Sequence, residues 1–287
     1  MTRLLQRARA FIDGRPSISD TKESLKKNAK APLLDALDFV RGTRDPAMPP
    51  RRLMVSVGSV GTEDFRREGI EMKRHFIEIG GLRADHDVLD VGCGAGRMAI
   101  PLTGYLNGRY EGFDVMPAGV RWCRRNLTPA YPNFNFQVAD IRNRHYNPGG
   151  RFEAEDYRFP VADDSFDFVI QTSVLTHLLP AAAQNYLRET ARVLRPGGTC
   201  FATYLLLDEA RRELAARDAL PFTFTVQAPD YWAISARSPE AIVAYPEADV
   251  LNSFEELGLE PTVHRGNWAG ESVGLTWQDA VVARKPA

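Results

Sequence analysis

From residue 86 onward short apolar runs alternate with helix-like stretches, and the first run ends in three closely spaced glycines: residues 88–97 read VLDVGCGAGR. No other feature restricts the fold as much. A short apolar run bounded by glycines reads as a buried strand, and the stretch after it as a helix. The pattern then repeats, with strands expected at 87–91, 110–115, 134–138, 166–170 and 199–206. Helices are expected at 98–106, from Pro117 through Cys123, and at 180–194, where Pro196, Gly197 and Gly198 stop the last one. Such alternation implies an α/β fold of parallel strands with helices on both faces. Sheets of this kind bind ligands at the carboxyl ends of their strands.

The glycine turn lets backbone approach a ligand closely and presents the free N–H groups of a helix start. A glycine pattern alone is weak evidence, since many such turns bind nothing. Two acids add to it. Asp114 ends the second strand and Asp140 follows the third, on the same rim as the turn. Either could simply cap the helix that follows. Together with the turn they suit a nucleoside: one acid for ribose hydroxyls, the other for an exocyclic amino group. A dinucleotide site wants a third glycine where Arg97 stands, which argues against a nicotinamide oxidoreductase. No glycine–lysine–serine or –threonine loop occurs. The ligand implied is an adenosine without a phosphate chain.

The order of motifs resembles the class I S-adenosylmethionine-dependent methyltransferases over residues 87–205. The matching segments are Val88–Gly96, Phe113 with Asp114, Ala139 with Asp140, Phe159 and Pro160 with 164–167 (DSFD), and 192–198 (RVLRPGG). A weaker likeness runs to the end, with a last helix at 246–257 and strands near 260–264 and 279–284. The resemblance implies a Rossmann-like seven-stranded, mostly parallel sheet with helices on both faces and an antiparallel last strand. An N-terminal helical extension would be added to it. It also implies S-adenosyl-L-methionine as cofactor. Asp90 and the turn Gly92, Cys93, Gly94, Ala95 and Gly96 would hold its methionine portion. Asp114 would bind the ribose, with Val115 near the adenine. Asp140, flanked by Ala139 and Ile141, would bind the adenine amino group. Gln171 and Thr172, ending the fourth strand, would sit beside the sulfonium.

An alcohol acceptor needs its proton removed as the new bond forms. His177, a few residues past the fourth strand, is the candidate general base; a histidine packed on the sheet and bonded to backbone is the plainer reading. His145 and Tyr146 lie in a polar loop that reads as a lid or acceptor contact, or as ordinary surface. An insert at 208–245, with Phe222, Phe224, Tyr231 and Trp232, is expected to cover the acceptor pocket. Its aromatic rings suit a hydrophobic or ring-shaped acceptor, or plain core packing. The expected reaction is methyl transfer to a small-molecule acceptor, at a hydroxyl of a sugar or other secondary metabolite. The alternatives are nitrogen or carbon acceptors, and RNA or protein. The five histidines are scattered, so no metal is expected.

Composition bounds the rest. Net charge is −1, which argues against a chain built to hold a nucleic-acid backbone. Three cysteines cannot close a disulfide framework, so a reducing, cytoplasmic setting is expected. No apolar run reaches the roughly 18–20 residues of a membrane span, and the start lacks the apolar core of a secretory signal. Residues 1–52 hold twelve basic and six acidic side chains, a surplus of six, and form an expected partly helical arm before a domain at 53–287. Leu4, Leu5, Ala8, Phe11 and Ile12 would make one face of a short basic helix, and Leu33, Leu34, Leu37, Phe39 and Val40 another helical segment. The arm would be solvated, or docked on the body or on a second copy in a homodimer.

Overall fold

The computed structural model describes residue 31 and residues 33–38, 40–42, 45–59, 61–143 and 146–287. The expected helix face at 4–12 lies outside these residues, as do Phe39 and His145. Residues 33–38 are helical, as their apolar spacing predicts. Among the described residues no helix is long and apolar enough to cross a membrane.

Seven strands make one sheet in the order β10–β11–β5–β4–β1–β2–β3, and four short ones make a second, in the order β6–β9–β8–β7. The chain falls into two compact units that divide between Arg151 and Phe152.

The first unit contains α1 (Arg51–Ser56), α2 (Thr62–Glu78), β1 (Val88–Val91), α3 (Ala99–Leu102), β2 (Tyr110–Asp114), α4 (Pro117–Asn126) and β3 (Phe134–Val138). Its three strands are parallel, in a register that pairs Val88 with Tyr110 and Tyr110 with Phe134. All four residues of β1 are buried, so its apolar run has no polar face, the signature of a strand covered on both sides. The helix expected at 98–106 is only four residues long. After Leu102 the chain closes in tighter turns, and Thr103 Oγ1 donates to the carbonyl of Ile100 at 2.8 Å.

Gly69 sits inside α2, where a glycine ordinarily weakens a helix. Its reason is a close approach: a Cβ there would lie 2.4 Å from the carbonyl oxygen of Arg97. Gly69→Ala should therefore destabilise the protein by about 1–3 kcal/mol, although alanine is the better helix former. Chemical denaturation measures this, and a gain in stability would refute the close approach.

The second unit contains β4 (Phe166–Gln171), α5 (Pro180–Val193), β5 (Leu194–Tyr204), β6 (Leu206–Leu207), α6 (Glu209–Ala216), β7 (Val226–Gln227), β8 (Trp232–Ala233), β9 (Val243–Pro246), α7 (Glu247–Glu256), β10 (Glu260–His264) and β11 (Asp279–Arg284). β5 is parallel to β4, whereas β11 runs antiparallel to both of its neighbours. β5 begins at Leu194, five residues before the expected start. The expected stop at Pro196, Gly197 and Gly198 is not where α5 ends: the helix ends at Val193, and these three residues lie inside β5. Phe166 pairs with Leu194 and Phe168 with Thr199, so the intervening residues bulge, with Gly197 at φ +81°.

Residues 208–245 carry β7, β8 and part of β9, and share a hydrophobic core with Leu205, Leu207, Trp268 and Ala269. Phe222, Phe224 and Trp232 are buried there with Trp268, the rings in edge-on and tilted contact. Of the two readings of these rings, pocket cover or plain core packing, the second describes what they do among the described residues. Trp268 Nε1 and the backbone N–H groups of Leu206 and Gly266 all donate to the buried carboxylate of Asp279. The Arg211 guanidinium pairs with both of its oxygens at 2.9 and 3.0 Å. A buried charge needs that many partners to avoid a large desolvation cost.

Candidate functional site

The first unit gathers the expected donor residues at the carboxyl ends of three adjacent parallel strands. β1 runs out at Val91 and the chain must reverse into α3 within a few residues. The backbone N–H groups of Gly92 and Cys93 both reach the carbonyl of Phe113, at 2.8 and 3.1 Å. The reversal takes Gly92, Gly94 and Gly96 to φ values of +79°, +56° and +84°, a region that favours glycine. At Gly119, in the first turn of α4, a Cβ would lie 2.3 Å from the carbonyl oxygen of Gly94, so this helix packs directly on the turn.

Asp114, half-buried at the end of β2, organises the rim. Its Oδ2 accepts from the backbone N–H of Gly94 at 2.7 Å and its Oδ1 from that of Met116 at 2.7 Å. Each oxygen keeps a further lone pair, so two vicinal hydroxyls can donate to it. Burial pushes its carboxyl up to about 6 against these two hydrogen bonds. Val115 beside it is half-buried. The backbone N–H of Ala139 donates to the carbonyl of Asp114 at 2.9 Å, which brings the ends of β2 and β3 together.

Asp90 lies beneath the turn and is completely buried. The hydroxyl of Tyr110, from the neighbouring strand, donates to its Oδ2. Its Oδ1 has no hydrogen-bond partner among the described residues. Burial drives its carboxyl up to about 7, opposed by the Tyr110 hydrogen bond and raised further by the charge of Asp114. An orphaned carboxylate oxygen under a positive-φ turn favours a cation above it. The ammonium and sulfonium of S-adenosylmethionine are cations of that kind, so the residues fit the donor. Cys93 and Ala95 are buried fillers, and burial raises the Cys93 thiol well above its ordinary range, as expected of an inert thiol.

Asp140 follows β3, with Ala139 and Ile141 buried on either side. Its carboxylate is occupied: the Arg151 side chain donates to Oδ2, and this hydrogen bond holds the group below the usual range. An exocyclic amino group would therefore share Asp140 with Arg151. Sequence reading missed this partner, as it missed Tyr110. A tyrosine inside a strand reads as core, and an arginine in a loop reads as surface.

Gln171, Thr172 and His177 belong to the second unit. The Gln171 side chain turns onto α5, where Nε2 donates to Thr190 Oγ1 at 2.6 Å. Its Oε1 is buried without a hydrogen-bond partner among the described residues. The amide nitrogen is thus committed to the helix. Thr172 is buried, and Ser173 after it has φ +56°, with its N–H donating to Thr203 Oγ1 at 2.8 Å. His177 is exposed in a 3-10 turn at Leu175–His177, with Nδ1 3.1 Å from the carbonyl oxygen of Glu240. A carbonyl only accepts, so Nδ1 carries the proton and the neutral ring has its basic lone pair on Nε2.

Comparisons with known proteins bear on this geometry. The profile of a family described as "Methyltransferase domain" matches residues 88–198. A ubiquinone biosynthesis O-methyltransferase from Methylocella silvestris is 26% identical over 71% of this chain and 72% of its own length. A phthiotriol/phenolphthiotriol dimycocerosates methyltransferase from Mycobacterium ulcerans is 31% identical over 57% of this chain and 50% of its own. The tRNA N(3)-cytidine methyltransferase METTL2 of Bos taurus is 26% identical over 71% of this chain and 53% of its own. The chain thus spans only about half the length of two of these three relatives.

Among solved structures, the PH0226 protein from Pyrococcus horikoshii OT3 has a TM-score of 0.52 at 19% identity, covering 79% of this chain and 93% of that one. The [4+2]-cyclase SpnF has a TM-score of 0.52 at 17% identity, covering 76% and 81%. At such identity these two carry the fold and not the reaction. The matched domain and the motifs within it are those of the class I S-adenosylmethionine-dependent methyltransferases, whose cofactor is S-adenosyl-L-methionine.

Proposed function

We propose that the protein transfers a methyl group from S-adenosyl-L-methionine to a hydroxyl of a small-molecule acceptor, a sugar or another secondary metabolite. The observation that carries the donor half is the Asp114 carboxylate, fixed by two backbone N–H groups of 2.7 Å on the strand-end rim with acceptor capacity left for ribose hydroxyls. Asp90 and the turn Gly92–Gly96 would hold the methionine portion, and Asp140 with Val115, Ala139 and Ile141 the adenine end. Gln171 and Thr172 would contribute near the sulfonium. When bound, the cofactor supplies a methyl group already activated on sulfur.

This chain's part is to place the acceptor in line, exclude water and take up the acceptor's proton. Positioning can supply most of the acceleration, since effective molarities reach on the order of 10⁵ M or more. His177 is proposed as the general base. Glu240 sets its tautomer, and Nε2 accepts the hydroxyl proton as the new carbon–oxygen bond forms. Support for an oxygen acceptor comes from this histidine and from the relative named for O-methylation.

His177→Ala should lower kcat by about 10²–10⁴-fold with little change in donor affinity. Full activity would end its candidacy. The acceptor itself is found by a turnover screen of hydroxylated and amino metabolites, read as a mass gain of one methyl in the acceptor. Because one relative is named for tRNA and residues 1–52 carry six surplus positive charges, the screen includes tRNA. Methylation of tRNA, with every metabolite inert, would replace this reading.

A further inference from the structure

The segment after β4 is bent in a way that its residues do not favour. Ser173 takes φ +56°, and the other non-glycine residues at positive φ among the described residues are the aspartates Asp164 and Asp218. Aspartate tolerates that region through its short polar side chain, whereas serine stays there where its surroundings hold it. From Ser173 the chain runs through the buried Leu175 and Thr176 to His177, whose N–H donates to the carbonyl of Val174 at 2.9 Å. The place of the imidazole thus depends on the bend at Ser173.

What holds Ser173 comes from two other strands. Gln171, the last residue of β4, pairs with Ala202, and Asp279, the first residue of the antiparallel β11, pairs with Tyr204. Thr203 and Gln278 therefore meet where β4 ends. The Ser173 N–H donates to Thr203 Oγ1 at 2.8 Å, and the Thr203 hydroxyl donates in turn to Gln278 Oε1. Ser173 Oγ donates to the same amide oxygen at 3.3 Å. On its other side Gln278 Nε2 lies 3.5 Å from Thr176 Oγ1, at the limit of hydrogen-bond reach. Thr203, Thr176 and Gln278 are buried, so these groups have little water to turn to. One amide thus meets the segment at Ser173 and again at Thr176, the residue before His177.

We propose that Gln278 is a positioning residue for His177. By holding Ser173 in its unfavourable conformation it sets the Leu175–His177 turn, and so keeps Nδ1 on the Glu240 carbonyl and the basic lone pair on Nε2. The proposal rests on the reading of His177 as general base and extends it to the start of another strand. Gln278 acts through the turn and not on the reacting atoms. Loss of its amide oxygen would leave the Thr203 hydroxyl without that acceptor and Ser173 with one hydrogen bond fewer.

The test needs no acceptor. Gln278→Met keeps the length of the side chain and removes the amide. In the ligand-free wild type, nitrogen-15 NMR above the titration of the imidazole should find the His177 proton on Nδ1. In the variant a share of it should move to Nε2, the ordinary tautomer of free histidine. Hydrogen exchange at residues 173–177 should quicken by about tenfold, the range of one hydrogen bond, with exchange in β4 and β5 unchanged. Adding Ser173→Gly, which takes the same φ unaided, should return the proton to Nδ1. Thr203→Val removes the intervening hydroxyl and should reproduce both changes, which covers a Gln278→Met chain that fails to fold. A variant with its proton still on Nδ1, whether exchange is unchanged or faster in every segment, would overturn the positioning role and leave the base reading intact. A wild type with its proton on Nε2 would overturn both.

Discussion

Replacing Asp114 by alanine should lower the affinity for S-adenosylmethionine by roughly a hundredfold or more. Each hydrogen bond to an ionised carboxylate contributes about 1.5–3 kcal/mol, and two ribose hydroxyls lose theirs together. The loss reaches further, because the same oxygens hold the N–H groups of Gly94 and Met116. Without them the glycine bend and the start of α4 lose their common acceptor. Asp114→Asn should fall between the two, since its amide keeps one acceptor and turns a donor toward a backbone N–H. Titration calorimetry measures the change. An affinity equal to the wild type would remove Asp114 from the site and with it the proposal for the donor.

Asp90→Asn should reverse the sign of its effect on stability between pH 4 and pH 8. The folded protein holds this carboxyl at about 7, against 3.8 as the ordinary value. The native state therefore binds a proton that the unfolded state has released across this window. Stability is fully present below about pH 4 and is lost as pH rises through 7. The difference of about three pH units corresponds to roughly 4 kcal/mol lost by pH 8. Asparagine removes that charge but brings a buried N–H to the place of the orphaned oxygen, at a cost of about 1–3 kcal/mol. The variant should be less stable than wild type at pH 4, where the wild-type carboxyl still keeps almost all of its linkage stability, and more stable at pH 8, without ligand. Asp114, raised to about 6, adds a pH dependence of the same direction to both proteins. Scanning calorimetry at the two values shows the crossing. A variant less stable at both would mean that Asp90 carries no ionisation cost. The wild type keeps this unfavourable charge where a cationic ligand would offset it, the trade of stability for binding expected at a functional site.

Much of this was legible along the chain. β3 begins and ends where its apolar alternation predicts. β1 and β2 each differ by one residue from expectation. These elements depend on neighbours in sequence, on side-chain period and on glycine and proline, so local pattern is enough to find them. The glycine bend and Asp114 were legible for the same reason: strand ends in an alternating chain face one rim.

The departures share a different cause. Gly69 would weaken α2 by helix propensity alone, and it is the carbonyl of Arg97 packed against it that requires glycine. Phe222, Phe224 and Trp232 read as a pocket cover or as plain core packing, and they pack with Trp268 as a core. An aromatic residue in a variable segment has the same pattern in both roles. His177 was visible as a histidine near a strand end, but its proton position depends on Glu240, 63 residues away. Asp140 was visible as an acid, but not its engagement by Arg151.

Pattern and residue type along the chain decided the order of strands and helices, the rim on which the motifs stand and the chemistry of the donor. Those follow from steric and solvation rules that act over a few residues. Tertiary packing alone decided which carboxylate is buried and which is paired, why Gly69 must be glycine, and that Gln278 reaches Ser173. These are properties of atoms brought together across long stretches of chain, where burial and partner, rather than residue identity, set the energy of a charge or a hydrogen bond.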